Sequence, residues 1–143
     1  MAAMELLCHW VGINPALISR KEIFLLEVEL FARFCDELKE IFRKQYKNYF
    51  HLMKVDKEKE NIMVDNMLVC LVIKDILSTE EYNIEGIACY TDIPEDVILD
   101  VVDGRNANPS AKLLRRSIDL HRSVRRDLYR SIIQKIATDL TVV

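Results

Sequence analysis

From Asn83 to Leu120 the chain reads NIEGIACYTDIPEDVILDVVDGRNANPSAKLLRRSIDL. Asn83 has the short acceptor side chain that caps a helix, and Ile84, Ile87, Ala88 and Ile93 give a short apolar helix ending at Thr91-Asp92. Pro94 falls near the first turn of a second helix, where its missing N–H is harmless; Glu95 and Asp96 lie against the positive end of that helix. Val97, Ile98 and Val101 form its inward face. Gly104 stops it, because glycine enters the left-handed backbone region without steric cost. Ser110, closing Asn108-Pro109-Ser110, caps a third helix in which Leu113, Leu114 and Ile118 recur at helical spacing. Two helices of fewer than three turns joined by a short turn describe a helix-turn-helix.

The order of these signals is informative beyond the individual elements. Ile87-Ala88 is followed by Ile98-Leu99-Asp100-Val101-Val102-Asp103-Gly104, then by Asn108-Pro109-Ser110, then by Leu113-Leu114 running to Leu120. Over roughly residues 64–137 this resembles the lambda-repressor-like, Cro/XRE type of helix-turn-helix. The resemblance implies an all-α bundle containing that motif and a small cytoplasmic regulator of bacterial or phage type. It also implies duplex DNA as partner and dimers on paired half-sites. It sets Glu95, Asp96, Leu99 and Asp100 on the solvent side of the recognition helix, and Arg105, Asn106 and Asn108 toward phosphates. Two positions depart from the family pattern. Ile84 stands where a phosphate-binding glutamine is usual, and the recognition helix is acidic where basic and polar groups are usual. Carboxylates accept from cytosine but are repelled by phosphate, so direct base reading is expected to be weak.

Outward from this stretch, the chain has 143 residues, half of them apolar, with only three glycines and three prolines. That is enough for one real core, and short linkers point to an all-helical class. A net charge of −3 gives no general attraction to nucleic acid or to an acidic membrane, so such binding requires local patches. The opening MAAMELLCHWVGINPAL has no basic n-region, and its apolar run is too short to span a bilayer. Secretion and membrane insertion are not expected. Cys8, Cys35, Cys70 and Cys89 show no CxxC spacing and read as buried thiols of a reducing compartment. His9, His51 and His121 are dispersed, so no metal and no cofactor are expected.

Asn14-Pro15 starts a helix or a turn, and from Arg20 to Lys54 nothing breaks a long N-terminal helix. Phe24, Val28, Phe31, Cys35, Leu38 and Phe42 recur along it at steps of three and four. A second stripe, Ile23, Leu26, Leu30, Phe34 and Ile41, widens the apolar face. Such a face is covered either within the bundle or by a second copy, and the six residues of the first stripe are the candidate dimerisation seam. KVDKEKEN, Lys54 to Asn61, reads as a solvated linker. The chain is thereby divided into an N-terminal arm, 1–61, and a helix-turn-helix region, 62–143. In the second, Ile62 to Leu77 is the central apolar helix and Ser78 to Tyr82 a polar connection. Val124, Leu128, Ile132 and Ile136 then extend the last helix toward a frayed or strand-like Thr141-Val142-Val143.

Charge is segregated along the sequence. From Glu80 to Asp103 every charged residue is acidic; from Arg105 onward Lys112, Arg115, Arg116, Arg122, Arg125, Arg126, Arg130 and Lys135 outnumber the acids. Arg115, Arg122 and Arg126 share one side if the helix runs on, a row that can grip phosphates or pair with a partner protein. Lys112 joins them as a candidate DNA contact. No phosphate loop, nucleophile elbow, zinc-protease or EF-hand pattern occurs, and exposed carboxylates on short helices have nothing to shift their pKa values, so no enzyme is expected. Three possibilities remain open: a DNA-binding dimeric regulator, a helix-turn-helix adaptor that has lost DNA binding and contacts proteins, and a purely structural bundle.

Overall fold

The computed structural model describes residues 3–106 and 108–141. Among them are α-helices α1 (Ala3–Val11), α2 (Arg20–Gln45), α3 (Lys47–Leu52), α4 (Lys57–Ser78), α5 (Ile84–Thr91), α6 (Glu95–Val102), α7 (Ala111–Val124) and α8 (Arg126–Thr141). One 3-10 turn, Pro15–Leu17, and no strand accompany them. The all-helical class expected from the scarcity of glycine and proline is the observed one. Val142 and Val143 of the expected frayed end lie outside the described residues, and Thr141 closes α8.

The starts of the helices follow from their caps. The Asn14 side chain accepts from the backbone N–H of Ala16 at 3.0 Å, opening the 3-10 turn at Pro15. The Ser19 hydroxyl accepts from the Glu22 N–H and donates to the Glu22 carboxylate, a reciprocal pair that starts α2. Asn83 accepts from the Gly86 N–H at 2.7 Å and Ser110 from the Leu113 N–H at 3.1 Å. Both are the caps expected from sequence. Pro94 is the N-cap residue of α6 rather than part of its first turn.

Three breaks differ from the expectation. The long N-terminal helix does not reach Lys54: it ends at Gln45, and Tyr46 (φ −101°, ψ 15°) turns the chain into α3. The segment from Lys54 to Asn61 is a linker only to Asp56, whose carboxylate accepts from the Lys59 N–H at 2.8 Å and starts α4 about two turns before its buried face begins at Val64. Lysine and glutamate are good helix formers, and a solvated first turn carries no apolar periodicity to betray it. Finally, α7 does not run on into α8, because Arg125 (φ −116°, ψ 54°) interrupts the helix.

The chain divides into two compact units. One comprises residues 39–125. Here α4 presents Val64, Leu68, Val69, Leu71, Val72, Ile73 and Ile76 as a wide buried face. It packs on α6 and α7, while α5 packs on both α6 and α7, adding Ile87, Ile98, Val101, Leu113, Ile118 and Leu120 to the core. Lys39 and Arg43 on the end of α2 pair with Asp65 and Glu60 of α4 at 3.2 and 3.7 Å. The other unit joins the two ends of the chain, residues 1–38 and 126–143. In it α1 packs on α8, and Phe34 of α2 meets Tyr129 of α8 edge to face at 5.3 Å. Arg33 pairs with Asp139 at 2.6 Å, and Lys135 with Glu37 at 2.9 Å. No helix among the described residues is long and apolar enough to cross a membrane.

Candidate nucleic-acid interface

The turn between α5 and α6 is made by Asp92, at φ 55° in the left-handed region, followed by Ile93 and Pro94. A short carboxamide or carboxylate side chain tolerates that conformation better than most. The outer surface of α6 then carries Glu95, Asp96 and Leu99 exposed and Asp100 half-exposed, while Ile98 and Val101 are buried. The residues expected to face bases are thus brought together on one solvated helix, and their charge is negative.

The loop after α6 is folded back on the same acids. Gly104 (φ +77°) reverses the chain, and the N–H groups of Arg105 and Asn106 both donate to the Asp100 carbonyl, at 2.8 and 3.1 Å. The Arg105 guanidinium lies 3.8 Å from Asp100 and 3.7 Å from Asp103, though three-quarters of the side chain stays in water. Asn106 accepts from the Asn108 N–H at 3.0 Å and so shapes the loop. Asn108 is exposed.

The basic residues converge at the start of α7. Lys112, Arg115 and Arg116 line a groove of about 590 Å³ together with Tyr90 from the end of α5, Ala111 and Asp119. Lys112 reaches the Asp92 carboxylate at 3.7 Å and donates to the Asp92 carbonyl at 3.5 Å. Neither Arg115 nor Arg116 has a carboxylate in ion-pair range among the described residues. Cations in the first two turns of a helix stand against its positive end, so the field here is positive and its natural complement is an anion. Arg122, half-buried, continues the same face of α7. Arg126 does not: the break at Arg125 puts it in α8, which removes it from the row expected on one continuous helix. Sequence reasoning left Tyr90 out of the site; its place at the last turn of α5, facing a basic helix, was the available signal.

A second polar cluster escaped the sequence altogether. His121 is fully buried, and its Nε2 lies 2.6 Å from Asp75 Oδ2. Arg125 donates to both Asp75 oxygens, Nε at 3.0 Å and Nη2 at 3.1 Å, and Nη2 also donates to the Ser78 hydroxyl at 3.3 Å. Burial raises the Asp75 carboxyl, but the hydrogen bonds and charges of Arg125 and His121 together outweigh it and hold the group below its ordinary value. His121 is also lowered: burial dominates over the stabilising Asp75 carboxylate, with Arg125 adding to the lowering. At neutral pH the imidazole is therefore uncharged and Nε2 donates to the carboxylate; protonated in acid, it adds its charge to that of Arg125 beside Asp75. The trio clamps the end of α4 to the end of α7 across about fifty positions of sequence, and nothing in local spacing marks it.

The expected dimerisation seam is split. Phe24 and Val28 are exposed and Phe31 half-buried, whereas Cys35, Leu38 and Phe42 are buried in the chain's own core. The thiols also divide: Cys8 and Cys35 are buried as expected, Cys70 is half-buried with Sγ 3.8 Å from the Val102 carbonyl, and Cys89 is exposed, since it follows Ala88 around α5 onto the solvent side. No group of three or more His, Cys, Asp or Glu among the described residues is arranged to hold a metal. No family model, curated protein or solved structure matches the chain.

Proposed function

We propose that the unit spanning residues 39–125 binds duplex DNA through its phosphates, with α5, the Asp92 turn and α6 as a helix-turn-helix of the lambda-repressor-like kind. The protein acts as a transcriptional regulator and not as an enzyme. The observation that carries this reading is the groove at the start of α7, where Arg115 and Arg116 stand beside Tyr90 with no ion pair among the described residues. Guanidinium groups fork onto phosphate oxygens, and displacement of counterions from the duplex supplies the affinity. Arg122 and the Arg105–Asn108 loop extend the track. Because α6 faces outward with Glu95, Asp96 and Asp100, base readout is confined to cytosine amines and van der Waals contact by Leu99.

Retention of the protein on a pool of random duplexes at low and moderate salt is the test. The variant Arg115→Glu/Arg116→Glu is expected to weaken binding to all sequences about equally and to lower the slope of log affinity against log salt by roughly one for each lost contact. Unchanged affinity and slope would overturn the phosphate groove.

A second reading, a protein-interaction adaptor, is favoured by one specific observation. Lys112 and Arg105 are already matched by Asp92, Asp100 and Asp103 of the same chain, which leaves Glu95 and Asp96 as an acidic surface suited to a basic partner. No retention of any duplex at low salt, with capture of basic peptides that is lost in Glu95→Lys/Asp96→Lys, would replace the first reading with this one.

A further inference from the structure

We propose that the outward face of α2 pairs with the same face of a second copy of this chain, the two helices running antiparallel about a twofold axis near Leu25. The proposal concerns the unit formed by the chain ends and does not rest on the DNA reading. It keeps Phe24 and Val28 of the seam expected from sequence, recentres the contact on Leu25, and leaves out Cys35, Leu38 and Phe42, which are buried within the chain.

The face is defined by what α2 buries. Leu30, Phe34 and Leu38 are turned inward, at 5, 4 and 0 % exposure. On the other side Phe24, Leu25 and Val28 are exposed by 62, 56 and 51 %. At 3.6 residues per turn, Lys21, Leu25, Val28 and Ala32 follow one another along a single stripe, with Phe24 on one flank and Glu29 on the other. Two apolar faces on one helix are one more than its own unit covers. Three large side chains exposed within two turns, edged by charge, mark a contact surface rather than scattered surface apolar residues.

Charge selects the occupant. Lys21 lies four residues before Leu25 and Glu29 four residues after it, both are exposed, and neither has an ion pair among the described residues. Glu22 is already engaged by the Ser19 hydroxyl, and Arg33 and Glu37 by Asp139 and Lys135. An antiparallel copy centred on Leu25 therefore sets each Lys21 over the other copy's Glu29, twice by symmetry, with Leu25 against Leu25 at the axis and Val28 beside it. A parallel copy would stack Lys21 on Lys21 and Glu29 on Glu29. The stripe is complementary to itself in one orientation only, which is what an isologous dimer requires.

Sedimentation equilibrium of the full chain without DNA, from micromolar to hundreds of micromolar, tests this directly. A monomer–dimer equilibrium is expected. Leu25→Glu/Val28→Glu, at exposed positions, is expected to keep its far-ultraviolet circular dichroism and raise the dimer dissociation constant by about 100-fold. Lys21→Glu is expected to weaken the dimer by roughly tenfold, and Lys21→Glu/Glu29→Lys to restore it, because the swap recreates both pairs. The rescue keeps the test decisive even if the apolar variant fails to fold. A wild-type chain that is monomeric throughout, a dimer indifferent to these variants, or a charge swap as weak as the single reversal would each overturn the proposal. Loss of DNA retention with the dimer intact would instead strike the DNA reading alone.

Discussion

His121 is the residue whose role is least like its neighbours in the sequence suggest. Its imidazole has no exposure, and the Asp75 carboxylate at 2.6 Å, itself gripped by Arg125, is its hydrogen-bond acceptor. A buried neutral histidine makes stability depend on pH with a definite sign. The folded-state pKa lies below the ordinary value, so below about pH 6.5 the unfolded chain takes up a proton that the folded chain refuses. Stability is complete above that pH and falls as pH drops toward the folded-state value, by at most about 1.4 kcal/mol per pH unit for one proton. Asp75, also lowered, adds a second loss in the same direction, beginning near pH 4. Urea unfolding of the wild type and of His121→Gln between pH 7 and pH 5 is expected to show a steeper fall for the wild type. Equal slopes would mean that His121 titrates alike in both states. Asp75→Asn leaves Arg125 and His121 with a weaker acceptor, and is expected to lower stability by about 2 kcal/mol at neutral pH. None of this was legible beforehand, because Asp75 and His121 come from different helices. Each reads locally as an ordinary polar residue near a helix end.

At the scale of elements, the legible features were those whose physics is local. Asn83 and Ser110 were identified as caps, and Gly104 as a left-handed stop, because each depends only on residues within one turn. The breaks at Tyr46 and Arg125 were not legible. Neither is a glycine or proline, and the apolar spacing continues through both; the carboxylate of Asp75, distant in sequence, receives the Arg125 side chain where the helix stops. The start of α4 was missed for the opposite reason: its first turn is solvated, so periodicity was silent while the Asp56 cap was present. Gly104 allows the local account to be checked. A Cβ built there meets nothing within 4 Å, so steric crowding contributes no cost and the left-handed backbone alone remains. Gly104→Ala is expected to lower the stability of the folded chain by about 1–2 kcal/mol, read as a shift in the urea midpoint with an unchanged slope. A midpoint equal to that of the wild type would show that the φ of +77° is not what selects glycine.

For the whole molecule, the sequence indicated one helical class and segregated charge, but not how the chain is shared between its compact units. One unit is contiguous, residues 39–125, whereas the other is assembled from residues 1–38 and 126–143. A linear reading cannot see this, since amphipathic periodicity says that a face is buried without saying against what. The consequence is an asymmetry in autonomy. Within residues 39–125, α4 brings its wide buried face to α6 and α7, α5 closes on both, and the Asp75–His121–Arg125 clamp is complete. A fragment of residues 39–125 is therefore expected to be helical and to melt in one cooperative transition, near the lower size limit at which a single core suffices. A fragment of residues 1–38 is expected to show little helix, because Phe34 loses the Tyr129 ring and α1 loses α8; isolated amphipathic helices of this length are marginal in water. Circular dichroism and thermal melting of the two fragments decide the matter, and a non-cooperative melt of residues 39–125 would mean that its core needs the chain ends. If that fragment folds, it carries the groove of Lys112, Arg115 and Arg116 but not the Leu25 stripe. DNA retention by the fragment, at reduced affinity, would then separate the proposed phosphate contacts from the avidity that the proposed second copy would add.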